Sequence, residues 1–352
     1  MTISRAPTPD ISPLTLKDTS GEAEAEGGPE TFVRTDLYEE RQTPESGIGA
    51  FATSLISSGT RIFCEESIVM LPDYAGQLEL HRMVKALPDD KQKMFWNLAA
   101  SSKPGKAVAW IDLLRASCGD DESDTFNNLV EEYERAWSIY ETNRFTCRSL
   151  DGASKSLGMF PMCARINHSC APNVFHRYSP SINRLTIHAL RDIQPGEELL
   201  TSYIDICHPT VIRRQLLKHW GFRCRCTACD SSDDEEDHRR RRIEDLFNKM
   251  ANREKKRERN EAKWTEKDYE RSFANVSKAI KLLEEEGMEE TDTLGVVYAA
   301  AVKLGLKLRR EEEAVEWAQK VVEIEVKCLG TDSKEYQTAL QLLETAKSAR
   351  QK

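Results

Sequence analysis

At 352 residues, with 39% apolar and 31% charged residues and a formal net charge of −9, the chain has room for about two domains with real cores. Its apolar runs, such as "VVYAAAV", fall far short of the ~20 residues that span a bilayer, so a membrane protein is not expected. The acid excess on both sides of Asp230 disfavours nonspecific nucleic-acid binding and suits a basic protein or peptide partner.

Residues 1–30 carry no apolar segment of the secretory type and are rich in Pro, Ser, Thr, Gly and Glu, which reads as a disordered leader. Without a secretory signal, ten cysteines point to a reducing compartment, with thiols serving as metal ligands or core fillers. The expected location is therefore nucleus or cytoplasm, not the secreted space. From about Thr31 to Ala75, β-branched runs in "GIGAFATSLISSGTRIFCEESIVMLP" are punctuated by Gly and Ser, as short strands and turns require.

Helical spacing then takes over. "QLELHRMVKALPDDKQKMFWNLAA" repeats Leu, Met and aromatic residues at helical intervals with a break at Pro88, and "TFNNLVEEYERAWSIYETNRF" continues in the same manner. "RLTIHALRDIQPGEELLTSYID" alternates apolar and polar residues around a Pro-Gly turn, a strand–turn–strand pattern. After Asp230 the acidic-then-basic run of 231–242 reads as a charged linker. Residues 243–352 read as helices, three of them near Thr293–Leu308, Glu311–Cys328 and Ser333–Ala349. Antiparallel pairs of that length suggest a tetratricopeptide-like stack or a plain bundle.

Four short stretches carry chemistry. "GIGAF" sets Gly47 and Gly49 in a turn where backbone can approach a ligand, with Phe51 beside them. "RINHSCAPN" packs Asn167, His168, Cys170 and Asn173 into one loop, more than a turn needs. "GEELLTSY" ends a strand on Tyr203. "CRCTAC" crowds Cys224, Cys226 and Cys229 too closely for core packing, and a structural zinc needs a fourth ligand, for which Cys170 and Cys207 are both candidates.

Taken in this order, the four stretches resemble the SET-domain protein lysine methyltransferases over about Phe32 to Asp230, and the helical tail looks most like the SET-and-MYND subfamily. The resemblance implies an α+β fold: small β-sheets with a pseudoknot and a helical insert, followed by an all-α C-terminal domain. It divides the chain into a SET domain at 31–206 with the insert at about 77–142, a post-SET zinc segment at 207–230, and the helical domain from 243. Only Cys64 and Cys118 lie between Phe51 and Tyr140, so the MYND zinc module is expected to be missing. Ala164 and Arg165 stand where histone-directed members carry an Arg-aromatic pair.

The implied activity is methyl transfer from S-adenosylmethionine to a lysine amine of a protein substrate, histone or non-histone, by a monomer. By resemblance Gly47, Gly49, Phe51, Asn143, Asn167, His168, Tyr203 and Phe222 reach the cofactor. Tyr203 closes the methyl-transfer site, and Cys170 joins Cys224, Cys226 and Cys229 around one structural zinc. Two other readings stand beside it: a catalytically inactive SET protein that binds partners through its helical tail, and a zinc-dependent nucleic-acid binder, which the acidic balance disfavours. The run "HRRRRIEDLFNKMANREKKRER" is either a nuclear localisation signal or the solvated basic face of a helix.

Overall fold

The computed structural model describes residues 31–43, 47–100, 109–118, 124–150, 152–230, 234–288 and 292–351; the expected leader at 1–30 lies outside them. Strands β1 (Phe32–Val33), β2 (Tyr38–Thr43), β3 (Gly47–Ala52), β4 (Arg61–Glu65) and β5 (Val69–Pro72) come first. The insert follows as α1 (Gln77–Lys85), α2 (Asp89–Trp96), α3 (Ala109–Cys118) and α4 (Asp124–Asn143). Pro88 sits at the start of α2, where its fixed φ suits a helix entry, and this explains the break in the periodicity. Strands β6 (Arg144–Arg148) and β7 (Lys155–Met159) return the chain to the sheets. The insert packs Leu80, Val84, Phe95, Ile139 and Tyr140 onto Val69, Leu71 and Met159 of β5 and β7.

The remaining strands are β8 (Asn167–His168), β9 (Val174–Ser179), β10 (Arg184–Ala189) and β11 (Leu200–Thr201). One sheet runs β1-β4-β10-β9 and another β5-β7-β6, with β2 paired to β3 and β8 to β11. The β8–β11 pair is parallel, aligning Asn167 with Leu200 and His168 with Thr201. Leu199 N–H donates to Ala50 O at 2.7 Å, so the segment after Gly196 enters between β3 and the 167–173 loop. This is the crossing expected of the pseudoknot.

β10 departs from the half-buried strand its alternation suggests. Leu185, Ile187 and Ala189 enter the core between the sheets, but Thr186 and His188 on the other face are buried as well. After α5 (Thr210–Leu217) and α6 (Thr227–Asp230), the cover is the C-terminal helical array of α7 (Asp234–Asn260), α8 (Glu266–Glu285), α9 (Asp292–Lys307), α10 (Glu311–Leu329) and α11 (Lys334–Arg350). α10 lies on β10. There Arg61 donates to His188 Nε2 at 2.9 Å, to Leu329 O at 3.1 Å and to Asp332. From α7 onward each helix packs on the next, so order in sequence is order in space, as in hairpin arrays.

The stretch read as a linker at 231–242 is helical from Asp234 onward, where α7 begins. Its acidic and basic runs are offset by one helical turn, so Glu235 pairs with Arg239 at 3.6 Å and Glu236 with Arg240 at 2.9 Å. Arg240 also meets Glu286, beyond the end of α8, at 3.0 Å, which ties the start of α7 to its neighbour. No helix among the described residues is long and apolar enough to cross a membrane.

The seam between β9, α9 and α10 holds Glu325, buried, with Oε2 lacking a hydrogen bond. Burial, reinforced by Asp292 and opposed by Arg177, pushes its pKa up to about 8. An acid whose folded pKa lies above its unfolded value holds its proton more tightly when folded, so stability falls as pH rises from about 4.3 toward 8. Glu325→Gln is therefore expected to raise the melting temperature at pH values above that window and to leave it nearly unchanged below it. Thermal melts of both proteins across pH check this; parallel profiles would contradict it.

Candidate active site and thiol cluster

Alternation along β3 sends Ala50 and Ala52 into the core and leaves Gly47, Gly49 and Phe51 on the opposite face. Gly47 has φ +77°, a conformation glycine adopts freely. Gly49 is required for a different reason. A Cβ there would lie 2.3 Å from Glu198 Oε1 and 2.9 Å from Asn167 Nδ2. Phe51 carries the Arg41 guanidinium over its ring at 5.1 Å.

The 165–173 loop is held by two asparagines with separate tasks. Asn173, buried, acts as a surrogate strand: its Nδ2 donates to Glu198 O at 2.8 Å and its Oδ1 accepts from Leu200 N–H at 2.7 Å. Asn167 faces β3 instead, donating to Glu198 Oε1 at 2.8 Å and to Ile48 O at 3.3 Å. His168 Nδ1 accepts from Tyr203 N–H at 3.0 Å, which leaves the proton on Nε2, 3.3 Å from Cys170 Sγ. Burial lowers its pKa to about 4, so the ring is neutral near neutral pH.

Tyr203 donates its hydroxyl to Ile166 O at 2.9 Å, and burial pushes its pKa well up, so the phenol keeps its proton. Its ring packs against His168 at 5.3 Å, Trp220 at 5.2 Å and Phe222 at 6.4 Å. Trp220 in turn donates Nε1–H to Thr142 O at 2.9 Å, which fastens the segment before the cysteines to the end of α4. Asn143, the last residue of α4, spends its amide N–H groups on Ala99 O and Ile139 O, both at 2.7 Å.

Cys170, Cys224, Cys226 and Cys229 bring their Sγ atoms within 4.8 Å of one another. Four thiolates around zinc at ~2.3 Å would stand about 3.8 Å apart, so the donor set and its spacing fit a tetrahedral ion. Arg213, fully buried, lies 3.7 Å from Cys229 Sγ and donates to Ala228 O at 2.7 Å, a positive charge suited to balancing thiolates. Cys207, the other candidate, sits in the helical core with its Sγ 4.0 Å from Met288 Sδ.

The structure thus joins Gly49 to Asn167 and joins His168, Tyr203 and Phe222 to one another, with the thiols directly behind. Asn143 and Phe51 lie at the edge and engage other partners. Two residues escaped the sequence reading. Glu198 sits one place after Glu197 in "GEELL", where a carboxylate reads as solvated surface; Trp220 stands two places before Phe222, an aromatic pair that could have flagged it. Gly49→Ala should drive the new methyl group into Glu198 and Asn167. A fall in cofactor affinity of tenfold or more, read by calorimetry, is expected, with a smaller loss of melting temperature.

The family model for the SET domain matches residues 47–204. Histone-lysine N-methyltransferase set5 of Schizosaccharomyces pombe is 32% identical over 219 residues, which cover 61% of this chain and 56% of that protein. N-lysine methyltransferase SMYD2 of Homo sapiens is 37% identical over 92 residues, 26% of this chain and 21% of that protein. The chain therefore spans about half, or less, of the relatives it matches. The solved structure of Rubisco LSMT bound to sinefungin and monomethyllysine aligns with 91% of this chain and 89% of that one. The TM-score is 0.34 and the identity is 12%.

Proposed function

We propose that the chain, which matches the SET-domain model over residues 47–204, is a protein-lysine N-methyltransferase that uses S-adenosylmethionine. The observation that carries the reading is the junction of two groups. Gly49, Asn167 and Glu198 form a tight cradle, and His168, Tyr203 and Phe222 form an aromatic cluster one residue along the same loop. The relatives named as lysine methyltransferases support the reaction class.

The cofactor, when bound, supplies a sulfonium methyl group to an attacking amine. In the proposed site Gly49 would let backbone approach it closely, Asn167 and His168 would contact it, and Phe222 would pack on its adenine. The lysine amine, with a reference pKa of about 10.4, must lose a proton before attack. Tyr203 is a poor base for that proton, because its own hydroxyl stays protonated. Its role is orientation. With its hydrogen spent on Ile166 O, the phenol oxygen presents lone pairs that can accept from the amine N–H and hold it in line. Loss of the proton is favoured by a desolvated channel beside a cation.

Cys170, Cys224, Cys226 and Cys229 would hold one structural zinc, which fixes the segment bearing Phe222 against the loop bearing Asn167. The test is transfer of tritium from labelled S-adenosylmethionine to core histones and to a cell lysate, each offered to the purified protein. Label in a histone band or in a lysate band supports the reading and separates the two substrate classes. Cofactor binding without label in either pool would favour the non-catalytic, partner-binding alternative.

A further inference from the structure

The basic run at the end of α7 is not absorbed by the proposed chemistry. Arg253, Lys256 and Arg259 recur every third residue and so share one face of the helix. The chain then turns through Glu261–Lys263, and α8 runs back beside α7. Arg253, Lys256, Arg259, Lys263, Trp264 and Arg271 line a cleft of about 560 Å³ between the two helices. Asp268 is the one carboxylate among its walls.

Several nearby acids are already engaged elsewhere. Arg257 holds Glu254, and Glu261 at 3.0 Å, while Glu270 meets Arg310 at 3.2 Å. Asp268 accepts from the Thr265 hydroxyl at 2.7 Å in a capping box and stands 3.7 Å from Arg253. Lys256, Arg259 and Lys263 are exposed and make no ion pair among the described residues. Arg253 is fixed: it donates to Ser272 Oγ and to Asp268 O, both at 2.8 Å, and lies 5.4 Å over the Trp264 ring. Five cations therefore converge on one small space in a chain whose net charge is −9.

We propose that this cleft binds a compact polyphosphate, an inositol polyphosphate or the equivalent lipid headgroup. Its volume falls in the range of roughly 300–1,000 Å³ of small-molecule sites. Clustered cations suit phosphate, which carries up to two charges and three acceptor oxygens on one centre, whereas an acidic peptide spreads single charges along an extended chain. Arg253, held by Ser272 and Asp268, supplies a fixed positive charge, and the lysines supply mobile point charges.

The test is calorimetry of the full chain with inositol hexakisphosphate at about 150 mM salt, where the screening length is ~8 Å. Two further arms use vesicles with and without a phosphatidylinositol bisphosphate. The expected result is saturable one-to-one binding that weakens at least tenfold in Lys256→Glu/Arg259→Glu, with an unchanged melting temperature. Lys255→Glu, outside the cleft on the same helix, should bind as the native chain does. Binding to the vesicles assigns the ligand to a lipid; binding to the soluble compound alone assigns it to a free polyphosphate. The proposal is overturned by no binding, by equal weakening in Lys255→Glu, or by tighter binding of a hexaglutamate peptide or a single-stranded oligonucleotide.

Discussion

Tyr203→Phe is expected to lower methyl transfer about a hundredfold or more while leaving cofactor affinity nearly unchanged. The substitution keeps the ring that packs on His168, Trp220 and Phe222, so the shape of the aromatic cluster survives. It deletes the hydroxyl 2.9 Å from Ile166 O, and with it the lone pairs proposed to orient the amine. The orphaned carbonyl costs about 1 kcal/mol of stability, too little to unfold a domain. Separate measurement of turnover and of cofactor dissociation distinguishes the cases. A fall in turnover alone fits an orienting role. Turnover within a few-fold of native would remove Tyr203 from the reacting centre, and a matching fall in cofactor affinity would make it a binding residue only.

Loss of zinc should do wider damage. The native chain is expected to hold one zinc, measurable by elemental analysis, and Cys170→Ser to lose it. Structural zinc contributes on the order of 10 kcal/mol of apparent folding free energy in small modules. Without it, residues 224–229 lose their anchor, and Phe222 should leave His168 and Tyr203. Cofactor affinity should then drop at least tenfold, whereas the sheet core around Phe63, Ile187 and Leu199, which shares no residue with the thiol cluster, should stay folded. Cys207→Ser provides the contrast: its thiol lies in the helical core, so zinc content should be unchanged even if stability falls. Equal zinc loss in both variants would contradict the assignment of ligands.

Much of this arrangement was legible because short motifs encode backbone demands. Gly49 is a glycine where a side chain would strike Glu198, and "NHSCAPN" carries Asn173 where a buried amide must stand in for a strand. The thiol spacing pointed to a metal site, but a choice between Cys170 and Cys207 needed more than spacing, since both are buried and only contacts across the chain tell them apart. Local reading failed where long-range partners decide. Glu198 looks solvated until Asn167 arrives from 31 residues away. Thr186 and His188 look like an exposed strand face until α10 covers them. The charged run at 234–242 looks like a linker by composition, yet its one-turn offset of acids and bases is a helical signal, and Glu286 completes it.

The most direct test of the central claim is calorimetric titration of zinc-loaded protein with S-adenosylmethionine. The account predicts saturable binding of one cofactor per chain, weakened in Gly49→Ala and in Cys170→Ser and retained in Tyr203→Phe. A folded, zinc-loaded chain that takes up no cofactor would contradict the methyltransferase reading outright.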